Sequence, residues 1–311
     1  MGAAPSLSRA AWPGRDPACY AGVVADFLRD TQVEPGAPGR YRATLSPDWA
    51  VWGPNGGYVA AIALRAAMAA SRHPRPASFH CHFLAVGDFS PVELRVDSLG
   101  GGKRAESLRV EVTQGDRTLL CATAWMVDDG LRGFEHDFGK APEVSAPGSL
   151  RGYQELAEEY ADWYPIWRSI EGRPVRFREP PGAPQWHTWL RFTDTAIPDR
   201  GADALRQTFW LDFPGWNATI SAHPWPFRYL TPNLDLTVQF HRFAPDREWI
   251  LADGFVPLAV DGMVGCVSRL WTEDGRLLAT GTSKHLCRPN PGYEQELARA
   301  RALGLLPDGE G

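Results

Sequence analysis

Lysine is nearly missing from this chain: Lys103, Lys140 and Lys284 are the only three in 311 residues, and arginine supplies the rest of the positive charge. With abundant Ala, Gly and Pro, that bias reads as GC-rich bacterial coding. The net charge of −5 removes any general basis for holding nucleic acid or an anionic membrane surface. No apolar run approaches the length of a membrane span, and the N-terminus lacks the charged-then-apolar layout of a secretory leader. Cys19, Cys81, Cys121, Cys266 and Cys287 are scattered with no C-x-x-C pair, as expected of free thiols in a reducing compartment. A cytoplasmic protein is therefore expected. Gly-x-Ser-x-Gly, the Walker loop and His-Glu-x-x-His are all absent. His80 and His82 share a strand face, but no spacing supplies further metal ligands, so neither a metal nor a cofactor is expected. MGAAPS fits the myristoylation pattern at Gly2 and Ser6, a short pattern easily met by chance.

What is present is an ordinary globular composition, 44% apolar and 22% charged, in a chain long enough for two modest domains. The stretch Trp52–Arg72 organises it. Val59, Ile62, Ala63, Ala66, Ala67 and Ala70 recur on one face of a 3.6-residue helix. Asn55 caps it, and Pro74 disfavours helical geometry in His73 and stops it there. A helix so rich in alanine, with few polar side chains, belongs inside a curved sheet. Its Asn55-Gly56-Gly57 start leaves backbone N–H groups for an oxyanion.

Before it, Ala21–Arg29 reads as a short helix and Gly39–Leu45 as a strand. After it come Ser78–Ala85, Val92–Ser98, Glu106–Gln114 and Thr118–Val127, alternating strands joined by Gly-rich turns. The second half repeats the plan. Trp186–Thr193 is a strand, and Asp203–Ser221 is helical with a kink or split at Pro214. Leu234–Phe243, Glu248–Val256, Met263–Thr272 and Arg276–Leu286 follow. Phe83 answers Phe240, and Arg117 answers Arg276, at nearly one offset, which points to an internal duplication. Between the halves, Tyr160, Trp163, Tyr164 and Trp167 predict a helix over Tyr153–Ile170 that packs an aromatic face on the core or covers a hydrophobic ligand.

A helix wrapped by an antiparallel meander, present twice, resembles the double hotdog architecture, an α+β fold. WGPNGGYVAAIALRAA and VEVTQGDRTLLCATA in the first half, with TPNLDLTVQFHR and GCVSRLWTEDGRLLATGTSKHLCRP in the second, narrow the resemblance to the thioesterase-like family related to acyl-CoA thioesterase II. It spans about Gly39 to Pro289, excluding the connector. It implies an N-terminal arm over 1–38, hotdog repeats over 39–130 and 181–290, a connector over 131–180 and a C-terminal tail over 291–311.

The resemblance also implies hydrolysis of an acyl-CoA or acyl-carrier-protein thioester without metal or covalent intermediate. An Asp, a Thr and a Gln hold the attacking water. The Asp falls on Asp235, which alternates with Thr237 and Gln239 on one strand face, Thr237 being a further catalytic candidate; the Thr falls near Pro257, which has no hydroxyl, and the Gln on Ser283. Thr282 and Ser283 are candidates to replace that Gln. Asn55, Gly56 and Gly57 take the oxyanion role. Asp212, in FWLDFPGW, is a secondary candidate because single-carboxylate hotdog enzymes carry their acid in this helix. Other readings are an acyl- or CoA-binding protein that has lost turnover, and a lyase such as a dehydratase, against which stands that no histidine lies nearer to Asp235 in sequence than His241, six residues on. Homo-oligomers are expected if open sheet edges need covering.

Overall fold

A computed structural model describes residues 25–157 and 164–302. The MGAAPS pattern, Cys19, Tyr160 and Trp163 lie outside the described residues. The elements run α1 (Phe27–Asp30), β1 (Glu34–Pro35), β2 (Arg40–Thr44), α2 (Gly56–Ala70), β3 (Arg75–Phe83), β4 (Pro91–Gly101), β5 (Ala105–Gln114) and β6 (Arg117–Val127). Next come α3 (Tyr153–Leu156), β7 (Ile170–Pro174), β8 (Gln185–Phe192), α4 (Arg200–Leu211), α5 (Pro214–Ile220) and β9 (Tyr229–Leu230). The chain continues through β10 (Asp235–Phe240), β11 (Ile250–Val260), β12 (Met263–Trp271), β13 (Leu277–Leu286), β14 (Arg288–Pro289) and α6 (Tyr293–Ala302).

Twelve strands form one antiparallel sheet in the order β1-β2-β4-β5-β6-β3-β10-β13-β12-β11-β8-β7. Outward from the central pair β3 and β10, both halves follow the same order, β3-β6-β5-β4-β2 on one side and β10-β13-β12-β11-β8 on the other. The duplication read from Phe83 and Phe240 thus appears as a seam where β3 and β10 pair through Leu236↔Cys81 and Val238↔Phe79. Each outer edge is a short strand ending in proline, Pro35 or Pro174. Proline offers no ladder donor, so each of these edges has one position that cannot pair with a further strand.

α2 forms where its periodicity places it. Asn55 Oδ1 accepts the Tyr58 N–H at 2.9 Å, and the helix ends at Ala70, slightly before the expected His73, as Ser71 turns extended. Ala60 through Leu64 are fully buried. Alanine favours the helix and lets strands approach closely, while burial of Ile62 and Leu64 contributes roughly 2 kcal/mol each. The second helix splits as Pro214 requires, into α4 and α5. Met68 lies beside Gly201 and Gly57 beside Phe209, so α2 and α4 run antiparallel.

Several boundaries need correction. The expected helix over Tyr153–Ile170 is not continuous: α3 ends at Leu156, and Pro165–Arg168 is a 3-10 turn. Pro165 is the cause, since it forces Tyr164 into an extended conformation (ψ 146°). The residues assigned to the connector contain β7, the arm contains α1 and β1, and the tail contains α6. The expectation of buried thiols fits Cys81 and Cys266, which are buried, whereas Cys121 and Cys287 are half-buried; all four are free. Among the described residues no helix is long and apolar enough to cross a membrane.

Candidate active site

The starts and ends of helices from the two halves meet at one carboxylate. Asp212 closes the last turn of α4, and its Oδ2 accepts the Gly57 N–H at 2.8 Å and Asn55 Nδ2 at 3.1 Å. Its Oδ1 accepts from Asn233 Nδ2 at 2.5 Å. Gly57 is required by this approach, and Gly56 leaves little spare room. A Cβ on Gly57 would stand 2.8 Å from Asp212 Cβ and from the Phe209 carbonyl oxygen; one on Gly56 would meet the Phe83 ring at 3.1 Å and Asp212 Oδ1 at 3.2 Å. Gly57→Ala should therefore spread α2 from α4, lowering stability by about 2 kcal/mol as an overpacked core site does. Urea unfolding measures the loss.

Burial raises the Asp212 pKa from 3.8 to about 6, against the opposing pull of hydrogen bonds from Gly57, Asn55 and Asn233. The residue keeps a little solvent contact while protein surrounds its carboxyl. Because the folded value lies above the unfolded one, this group's stabilising contribution is full at low pH and is lost as pH rises through about 6. Relative to Asp212→Asn, the wild type should lose about 2 kcal/mol of unfolding free energy between roughly pH 4.5 and 7.5. Denaturant melts of both proteins across that range measure it.

Ser283 and His285 are buried on β13, with Ser283 Oγ 2.8 Å from His285 Nε2; Gly281 on the same face abuts Leu211 and the His285 ring abuts Gly215, so the pair faces the α4–α5 junction that carries Asp212. Asn233 stands opposite His285 across an antiparallel bridge, which links the pair to Asp212. Around the same helix start, Trp52 donates from Nε1 to the Tyr164 hydroxyl at 2.8 Å and meets Trp216 edge to face, and Trp216 meets Phe227 in turn. Tyr164, from the aromatic connector, thus reaches the loop ahead of α2, while Trp167 packs on Tyr153 and Phe213.

Asp235 is elsewhere. Leu236 and Val238 fill the inner face of β10, so Asp235, Thr237 and Gln239 project from the outer one. Asp235 Oδ1 accepts the Lys284 backbone N–H at 2.9 Å, Thr237 Oγ1 lies 2.8 Å from His80 Nδ1, and His80 Nε2 lies 3.1 Å from His82 Nε2. Thr282 is exposed, opposite Thr237 on that same face. The contacts expected between Asp235 and the glycine amides belong instead to Asp212, because strand alternation turns Asp235 away. Gly57 and Asn55 also need correction: the Gly57 amide and Asn55 Nδ2 are committed to Asp212, and the Asn55 backbone N–H to the Trp49 carbonyl. Among the described residues the Gly56 N–H has no such acceptor. His241 sits on Thr280 at the far end of β10, away from Asp235. Asn233 and His285 carry no signal in the sequence, since their partners are distant along the chain.

Two half-sheets about antiparallel helices, with a carboxylate where one helix starts and the other ends, define a double hotdog protein. The family model for the acyl-CoA thioesterase N-terminal domain matches residues 45–127, and that for the acyl-CoA thioesterase C-terminal domain matches residues 135–284. The chain therefore belongs to the acyl-CoA thioesterase family and is a thioesterase-like hydrolase. It is similar in fold to the tesB protein of Mycobacterium avium subspecies paratuberculosis (21% identity, TM-score 0.71, covering 85% of this chain and 98% of that one). The acyl-CoA thioesterase II TesB2 of Mycobacterium marinum is comparable (21%, 0.70, 86% and 100%). So is a hot dog protein of unknown function from Alicyclobacillus acidocaldarius (18%, 0.72, 86% and 100%). No curated protein sequence matches the chain.

Proposed function

We propose that the chain hydrolyses an acyl-CoA thioester at the start of α2, with Asp212 as general base. Water held by the Asp212 carboxylate attacks the thioester carbonyl carbon as the carboxylate takes its proton. The carbonyl oxygen gathers negative charge against the Gly56 N–H at the positive end of α2. When the C–S bond breaks, the proton on Asp212 passes to the departing CoA sulfur, leaving a free acid, a thiol and the base restored. The acyl group lies along the Trp52, Trp216 and Phe227 rings, which offer apolar surface next to the reacting carbon.

The observation that carries this reading is the placement of Asp212. It brings a carboxylate from the second half onto the start of α2, where it accepts the Gly57 N–H, and its pKa of about 6 suits a base working near neutrality. Free-thiol release from acetyl- through palmitoyl-CoA and phenylacetyl-CoA tests it. Release by the wild type and its loss in Asp212→Asn, with Asp235→Asn unaffected, is the expected result. No release from any of these esters would overturn it.

A further inference from the structure

His285 is fully buried, and its two ring nitrogens face different partners. Nδ1 lies 3.0 Å from the Thr231 carbonyl oxygen and Nε2 lies 2.8 Å from Ser283 Oγ. A carbonyl oxygen only accepts, so Nδ1 carries the proton. Burial holds the imidazole pKa below its ordinary value, and its neighbours Val264 on β12 and Gly215 on α5 offer no charge to stabilise an imidazolium. Of the charged groups acting on it, Asp235 favours the cation and Lys284 disfavours it. A neutral ring with Nδ1–H presents a bare Nε2, which only accepts. The Ser283 hydroxyl must then donate to His285, and its free lone pairs are left to accept from another donor.

We propose that His285 is a positioning residue that fixes Ser283 as a hydrogen-bond acceptor for the attacking water. The inference rests on the hydrolase reading with Asp212 as base. Water has two O–H groups. One points to Asp212, which removes that proton, and the other is held by Ser283, so the oxygen lone pair faces the thioester carbon. Left to itself a serine hydroxyl rotates and can donate to the water, spoiling that orientation. The Thr231–His285–Ser283 chain removes the choice. Asn233, bonded to Asp212 and opposite His285, holds the two parts together. The close approach of Gly215 to the ring leaves His285 no room to turn. The pair resembles a serine nucleophile with its base, but that step would create a buried imidazolium with only a carbonyl for a partner.

Two measurements on the full chain test this. In 15N-labelled wild type, imidazole NMR should show His285 neutral with Nδ1 protonated and Nε2 bare between about pH 6 and 8, the resonance assigned by its absence in His285→Gln. A protonated Nε2 overturns the proposal, and because the tautomer is read in the wild type it does not depend on the activity of any variant. In thiol-release kinetics, Ser283→Ala and His285→Leu should each lower kcat about tenfold or more, with KM within about twofold, as loss of an orienting contact does. The double variant should be no worse than either single, and His285→Gln should recover most of the rate, since one amide both accepts from Ser283 and donates to Thr231. Multiplying losses in the double variant, which a merely structural histidine would give, overturn the role of His285. So does an acyl adduct on Ser283 in quenched mass spectra. If the wild type releases no thiol, the hydrolase reading fails and this role with it. If it turns over and the losses multiply, only the role of His285 fails.

Discussion

Asp212→Asn should lower kcat/KM for acyl-CoA hydrolysis by about 10³-fold, the usual contribution of a positioned base, while Asp235→Asn changes it by less than about twofold because that carboxylate only caps a strand amide. The amide is nearly the size of the acid, so α2 and α4 keep their spacing, and the loss falls on kcat with little change in KM. An asparagine still accepts from Gly57 on its oxygen, but its NH₂ then faces the Asn233 donor, and it takes no proton from water. The pH profile supplies an independent readout. Wild-type kcat/KM should rise with pH through about 6, where Asp212 ionises, and level off above it. In Asp212→Asn that rise should vanish. A variant that keeps the wild-type rise would place the base elsewhere.

The largest effect on stability is expected at Asp203, which takes no part in the chemistry. Asp203 and Arg206 are buried within α4. Asp203 Oδ1 accepts from Arg206 Nε at 2.9 Å, and Oδ2 accepts from Gln207 Nε2 at 2.9 Å and the Ala244 N–H at 2.7 Å. Arg206 donates onward to the Ala244 and Arg247 carbonyls, and Gln207 to that of Arg242. One helical turn thereby supplies the backbone partners for the loop after β10. Asp203→Ala leaves a buried guanidinium without its counter-charge and the Ala244 N–H without an acceptor, which should cost about 3–5 kcal/mol. Urea unfolding with an unchanged m-value measures it. Since α4 carries Asp212 at its end, activity should fall only as the folded fraction falls. A loss under 1 kcal/mol would mean that water or a side-chain rearrangement replaces the network.

What the sequence disclosed divides along physical lines. α2 was legible because its evidence is local: an Asn cap, a run of small apolar residues at helical spacing and a proline beyond. The meanders were legible for the same reason, since Val92, Leu94 and Val96 bury one face whatever lies across the strand. The aromatic connector misled because ring spacing suggested a helix while Pro165 argued against one. The carboxylate was harder. Asp212 reads locally as a helix stop, and its partners Asn55 and Gly57 lie 157 and 155 residues away. Asp235 drew attention by similarity of its strand, yet its own parity with Leu236 and Val238 already placed it on the solvent side. That signal was present in six residues. The tautomer of His285 depends on a carbonyl 54 residues away, and no pattern announces it.

The helix pair has a second end. There α4 begins, and its cap Asp199 keeps the Ala202 N–H for itself at 2.8 Å, while the Met68 methyl group packs over Gly201. Duplication thus provided two equivalent thresholds, one of them armed and the other shut. The consequence is stoichiometric: a tight, non-reacting thioether analogue of the substrate should titrate this molecule at a single equivalent per chain, and any oligomer at as many equivalents as it has chains.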